Sequence, residues 1–190
     1  MNLSIQSSRL LIRDFSKNDW EDLHRLYMMP ETVKYNPSGY PENESVTEKL
    51  VGEWSEQQAA AHREEYTMAV MDKAEGGFVG VISLDLGDAK YRKAEIWYKL
   101  LPEYWGRGYA TEAVSSMLAF GFGALKLHRI ECGCSIHNTG SYRVMEKVGM
   151  TREGVKRKVL PLEDGWHDAY IYGILASEFA RTGGSPGLEG

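Results

Sequence analysis

Cysteine is scarce in this chain: Cys132 and Cys134 are its only two. Two positions apart in a strand-like run, they point to one face and read as buried thiols that behave as small hydrophobes. A metal site would need further ligands, and only five histidines are scattered along the chain, so no metal is expected. No apolar run approaches the roughly 20 residues of a membrane span. The first six residues carry neither a basic nor an apolar signal segment, which predicts a soluble cytoplasmic protein without a membrane partner. Basic charge is also in short supply: 22 Lys and Arg stand against 27 Asp and Glu, a net charge of -5. That balance argues against a nucleic-acid partner, and the run Lys156-Arg157-Lys158 reads as a solvated strand edge.

The familiar phosphate-binding strings are missing as well. No Gly, four residues, Gly-Lys-Ser/Thr string occurs. A dinucleotide fingerprint would need a third glycine where Thr111 stands after Gly106 and Gly108. Internal repeats and splitting linkers are absent. At 190 residues the chain fits one domain with a sizeable core, assigned to residues 8–180. Residues 181–190, with their Gly, Ser and Pro, are expected to be a flexible tail.

What is present is a strand, a glycine turn and a helix in succession. A strand-like run over 94–101 stops at Pro102, and Glu103-Tyr104-Trp105-Gly106-Arg107-Gly108-Tyr109-Ala110-Thr111 leads into a helical pattern of small and apolar residues. Glycines at 106 and 108 let the backbone approach a ligand with no Cβ in the way. The free N–H groups of the next helix, at its positive dipole end, would then face an anion. This is the layout of a phosphate or pyrophosphate cradle, with an ordinary tight turn as the plainer alternative.

Elsewhere, periodicity and turn residues predict a strand over 10–15, a helix from Asn18 or Asp19 to about 28, and a loop over 35–41. A second helix is expected over 44–62. Strands over 66–72, 77–86 and 94–101 should form a meander. A helix over 107–123, a strand over 127–137, a short helix over 140–148 and strands over 150–160 and 167–175 complete the order. This mixed sequence of elements is α+β, neither doubly wound nor all-β.

The string Trp105-Gly106-Arg107-Gly108-Tyr109-Ala110 resembles the coenzyme A loop of the GNAT N-acetyltransferases, Q/R-x-x-G-x-G/A, with Trp105 in place of Gln or Arg. The likeness extends over residues 8–180. Ser8-Arg9-Leu10-Leu11-Ile12-Arg13 is similar to the opening strand of the RimJ/RimL-type branch, related to ribosomal-protein N-acetyltransferases. Ala94 to Leu100 resembles its fourth strand. His128 through Asn138-Thr139-Gly140-Ser141 to Met150 resembles its fifth strand and fourth helix. Gly154, Arg157, Gly165, Asp168 and Tyr172 match its closing hairpin.

The resemblance implies a twisted, mostly antiparallel sheet of six or seven strands, splayed between the fourth and fifth and flanked by about four helices. It implies acetyl-CoA as co-substrate, with the pyrophosphate on the main chain of Gly106, Arg107, Gly108, Tyr109, Ala110 and Thr111, and the pantetheine arm on Leu100, Leu101, Asn138 and Ser141. Asn138 could also simply cap the following helix. Direct attack by an amine in a ternary complex is expected, since no cysteine stands where a covalent carrier would.

Glu95, alternating with Trp97 and Lys99, is the candidate general base; an ion pair with Lys99 or Arg92 is the plainer reading. Glu112 is read as a helix-dipole partner. Many relatives place a tyrosine acid seven residues after the asparagine, where this chain has Met145, so Ser141 becomes the candidate acid. Tyr35, Tyr40, Trp97 and Trp166 could frame an acceptor pocket. The acceptor is expected to be a protein N-terminus or a small amine, with a homodimer left open. A coenzyme A-binding regulatory or interaction protein without turnover is the alternative from a different class, its support being the absent tyrosine.

Overall fold

A computed structural model describes residues 3–60 and 62–181; the expected tail beyond Arg181 lies outside the described residues. One eight-stranded sheet runs through the molecule. Its strands are β1 (Ser4–Gln6), β2 (Leu10–Asp14), β3 (Met68–Asp72), β4 (Phe78–Leu86), β5 (Lys93–Leu100), β6 (Arg129–Ser135), β7 (Thr151–Leu162) and β8 (Gly165–Leu175). The order across the sheet is β1-β2-β3-β4-β5-β6-β8-β7. Every neighbouring pair is antiparallel except β5 with β6. The eighth strand is β1, too short to carry a periodic signal; Ser4 to Gln6 pair with Gln6's partner Leu11 through Arg13.

Helices cover both faces. On one lie α1 (Trp20–Tyr27), the single turn α2 (Pro30–Val33) and α3 (Glu44–Gln57); on the other, α4 (Tyr109–Gly123) and α5 (Thr139–Lys147); α6 (Ala176–Arg181) follows β8. Local chemistry starts them. Ser16 and Asp19 form a reciprocal capping box ahead of α1, and the Asn43 side chain accepts the amide of Val46 at the head of α3. Pro30 occupies the first position of α2, where its missing N–H costs nothing. The second helix ends at Gln57 rather than 62. A further departure is α6, which the sequence pattern did not foresee.

Two apolar layers sandwich the sheet. The larger joins Ile12, Val70, Ile82, Leu84 and Ile96 to Val114, Met117 and Leu118 of α4 and Met145 of α5. The smaller joins Phe15, Val81 and Leu101 to Leu23, Leu26, Val51 and Trp54. Successive strand residues alternate between these layers, so the odd-numbered side chains of β5 (95, 97, 99) face α1 and α3 while the even ones face α4 and α5. Gly80 lets β4 approach β5: a Cβ there would stand 2.8 Å from the Leu100 Cα and closer still to the Lys99 carbonyl. Among the described residues no helix is long and apolar enough to cross a membrane.

Candidate active site

The parallel pairing of β5 with β6 covers only Lys93–Arg129, Ala94–Ile130 and Glu95–Glu131. Beyond it β5 runs on to Leu100 against β4, and β6 runs on to Ser135 against β8. The two strands therefore part, leaving a gap in the middle of the sheet. Leu101 donates its amide to the Val79 carbonyl at 2.9 Å, so in the antiparallel ladder the main-chain groups of Lys99, Trp97 and Glu95 also point to β4. Those of Ile96, Tyr98 and Leu100 point the other way; past the last pair with β6, the groups of Tyr98 and Leu100 face the gap. A strand edge of this kind can take an extended ligand as an added strand.

Leu100 and Leu101 thus differ. Leu101 spends both its main-chain groups inside the protein, its carbonyl accepting from the Tyr104 amide at 3.0 Å. Leu100 faces the gap, and its carbonyl accepts the indole N–H of Trp105 at 2.8 Å. Trp105, at the position of Gln or Arg in the motif that the loop resembles, therefore holds the end of β5.

Behind that end lies the glycine loop. Gly106 and Gly108 have φ of 71° and 83°, in the left-handed region that glycine enters without strain. Gly108 is the N-cap of α4, which begins at Tyr109 rather than 107, and no side chain caps it. The helices α3 and α5 differ, each being capped by an asparagine. The N–H groups of the first turn of α4, over Tyr109, Ala110 and Thr111, are thus left for an external acceptor.

Arg9 was missed in the sequence, and it belongs to this loop. Its Nη1 donates to the Arg107 carbonyl at 3.0 Å, and its guanidinium lies over the Tyr109 ring, 4.3 Å from the centre. Glu112, in the first turn of α4, accepts from the Arg9 Nε, the Arg9 amide and the Ser7 hydroxyl, each at 2.7 Å. Burial alone would raise the Glu112 carboxyl, but these donors outweigh it and hold it below the ordinary carboxylate value. Tyr109 in turn donates to Asp72 at 2.7 Å.

Across the gap, Asn138 Oδ1 accepts the Ser141 amide at 3.1 Å, capping α5. Its Nδ2 makes no hydrogen bond among the described residues. The Ser141 hydroxyl lies 3.2 Å from the Tyr98 hydroxyl, which comes from β5 on the far side of the gap. Position 145 is fully buried in the core, turned away from the gap.

On the α1/α3 face, Glu95 is exposed and has no hydrogen bond or ion pair among the described residues. The pairing with Lys99 or Arg92 does not form. Glu95 stands in register with Asp85 on β4 and Glu131 on β6, and Asp85 is bridged to Glu65. Four carboxylates thus form a row across the sheet, an arrangement that costs stability in isolation. Glu131 is neutralised by Arg129 at 2.7 Å, while Asp85 accepts from the Trp97 indole at 2.9 Å and the Ser83 hydroxyl at 2.5 Å. Lys99 is half-buried, with its ammonium 4.3 Å from the centre of the Tyr27 ring and no carboxylate partner; burial lowers it to about 8.

The four aromatic residues expected around an acceptor are less closely gathered. Trp97 packs with the α1/α3 layer, Tyr35 lies under the Lys34 ammonium, and Tyr40 and Trp166 are exposed; no ring contact joins any two of them. Cys132 and Cys134 are buried free thiols. Burial pushes both up, Cys134 to about 11, so neither is a ready nucleophile. A concavity of about 670 Å³ at the β7 bulge, lined by Lys156, Arg157, Lys158, Val159 and Asp168, shares no residue with the loop or the gap.

The sheet is thus parted beside a glycine turn and an uncapped helix. Residues 9–151 match the family model of the acetyltransferase (GNAT) domain, and the chain belongs to this family. It is an N-acetyltransferase, of a family that moves acetyl groups from acetyl-CoA to amines. It is 34% identical over 179 residues to the uncharacterised N-acetyltransferase YnaD of Bacillus subtilis, covering 93% of this chain and 99% of that one. A GNAT-family acetyltransferase structure from Bacillus anthracis is 36% identical, with a TM-score of 0.81 over 93% of this chain and all of its own. At the level of fold alone, the spermidine N-acetyltransferase of Vibrio cholerae, solved with CoA and spermine, superposes with a TM-score of 0.81 at 22% identity, covering 92% of this chain and 99% of that one.

Proposed function

We propose that this protein transfers acetyl from acetyl-CoA to a small cationic primary amine by direct attack in a ternary complex. The observation that carries the acceptor is the row of carboxylates on the α1/α3 face, in which Glu131 has its own cation in Arg129 while Glu65, Asp85 and Glu95 have none among the described residues. Like charges in register are unfavourable unless a cation is brought to them. A protein N-terminus, the acceptor of the RimJ/RimL-type branch that the opening strand resembles, also presents one ammonium and is the second reading. A lone ammonium would answer to one carboxylate rather than to a row.

The residues fit coenzyme A. The uncapped amides of Tyr109 to Thr111 and the main chain of Gly106 to Gly108 receive the pyrophosphate, with Arg107 adding charge at the rim. The arm lies along β5, meeting the gap-facing main chain of Tyr98 and Leu100, with Asn138 Nδ2 donating from α5. The thioester carbonyl is polarised by a gap-facing amide. Glu95, whose carboxylate has no partner among the described residues, takes a proton from the incoming ammonium directly or through water. The neutral amine attacks the carbonyl carbon, the C–S bond breaks, and the electron pair leaves on sulfur.

Thiol release from acetyl-CoA, measured over a panel divided between small di- and polyamines and N-terminal peptides, tests this reading. Turnover with the small cations is expected. Turnover with peptides alone would overturn the acceptor, and coenzyme A binding without thiol release across a broad panel would instead favour the regulatory protein.

A further inference from the structure

Tyr98 is engaged in a way no local pattern explains. Its hydroxyl reaches from β5 to the first turn of α5, 3.2 Å from both the Ser141 hydroxyl and the Ser141 carbonyl. The two residues stand on opposite sides of the parted strands, so this contact spans the gap. The ring is partly buried and packs on the larger core layer. Burial raises the phenol well above its ordinary value, so it stays protonated, and a donor, at every working pH. Position 145, where a tyrosine would complete α5, is occupied by a core methionine.

We propose that Tyr98 is a positioning residue: its hydroxyl orients the Ser141 hydroxyl so that Ser141 donates its hydrogen to the departing thiolate. This rests on the acetyl-transfer reading above. A lone serine in the first turn of a helix tends to turn its hydrogen back to its own main chain, where it does nothing for a ligand. Tyr98 changes that balance. Two hydroxyl hydrogens serve four kinds of acceptor: the Ser141 carbonyl, the partner hydroxyl, the Cys134 sulfur beside Ser141 and the coenzyme A sulfur. When Tyr98 donates to Ser141 Oγ, the serine hydrogen must point elsewhere; when it donates to the carbonyl, it occupies the main-chain acceptor beside that hydrogen. In the first arrangement the serine hydrogen is turned away from Tyr98 and is shared between the Cys134 sulfur and the gap; in the second it can point back to the Tyr98 oxygen, so the first is the productive one.

The chemistry balances without further reactants. Glu95 passes the first ammonium proton to solvent before attack; the amine nitrogen then bonds to the acetyl carbon, and its second proton leaves to solvent by the same carboxylate as the C–S bond breaks. The C–S electron pair goes to sulfur, whose charge is met by the Ser141 hydrogen bond until coenzyme A leaves. The phenol gives up no proton, in keeping with its raised value.

Tyr98→Phe, Ser141→Ala and the double variant test the inference, each measured for kcat, KM for acetyl-CoA, coenzyme A affinity by calorimetry and Tm. Tyr98→Phe keeps the ring and its packing. Both single variants should lose roughly tenfold in kcat, the scale of one hydrogen bond made in the transition state, with KM and affinity within about twofold. The double variant should be no slower than Ser141→Ala, because Tyr98 acts only through the serine. Additive losses, or parent kcat in Tyr98→Phe, would overturn it, as would a Tm loss with unchanged rate per folded molecule. If the parent protein itself binds coenzyme A but turns over no acceptor, the acetyl-transfer reading fails first and the inference with it.

Discussion

Arg9 and Glu112, 103 residues apart, meet through a 2.7 Å ion pair while the Arg9 amide donates to the same carboxylate. The start of β2 is thereby tied to the first turn of α4. Because Arg9 also holds the Arg107 carbonyl, this tie sets which way the peptide groups of the glycine loop face.

Arg9→Ala should therefore weaken coenzyme A binding several-fold while Tm falls little, since a pair this exposed adds at most about 1 kcal/mol. Glu112→Gln should lower Tm at neutral pH. The Glu112 carboxyl lies below its ordinary value when folded, so its contribution is present above the unfolded value and is lost as pH falls through the folded one. Melting curves of parent and variant should converge in acid; a constant difference would show that the charge is irrelevant.

Gly108→Glu should abolish the rise in Tm that acetyl-CoA produces by mass action on the folded state. The residue has φ of 83° and a Cβ would stand 3.4 Å from the Arg9 guanidinium, so some loss of stability is expected too. Binding of the glutamate to Arg9 is tolerable, but its charge repels a pyrophosphate. An undiminished ligand-induced shift would reduce the loop to a simple turn.

Glu95→Gln should slow turnover by roughly 100-fold, the scale of a positioned base, with coenzyme A affinity intact and the acidic limb of the pH–rate profile gone. Rates equal to the parent at neutral pH would assign Glu95 to acceptor attraction alone.

Lys99→Met should stabilise the protein at pH 7. The ammonium falls from 10.5 to about 8 on folding, so the folded state resists its charge and stability rises with pH between those values. The gain in the variant is on the order of 3 kcal/mol at pH 7 and should shrink as pH approaches 10. A variant that is less stable at pH 7 would mean that the contact with Tyr27 outweighs the burial.

The glycine loop was readable because its chemistry is local: Gly106 and Gly108 lie beside a proline-terminated strand and a helix of small residues. Asn138 was readable as a cap for the same reason. Glu95 was legible as a position but not in its surroundings: it lies on an exposed strand face in register with Asp85 and Glu131. Leu101 was grouped with Leu100 although the pleat turns neighbouring peptides to opposite sides, and which of them met β4 depended on a register that no stretch of sequence displays. Arg9 and Tyr98 were read only as strand residues because their partners, Glu112 and Ser141, lie 103 and 43 residues away in the chain.

By itself, the sequence determined alternation, caps, turns and the anion-binding chemistry of one loop, all of which act over a few residues. Only the tertiary structure decided that β5 and β6 separate after three residue pairs, that carboxylates from separate strands align, and that Tyr98 reaches Ser141 across 43 residues of chain. Those relations depend on which strands lie side by side and in what register. A shift of one residue would send every side chain to the opposite face, and only the packing of the whole sheet between its two helical layers selects the register observed.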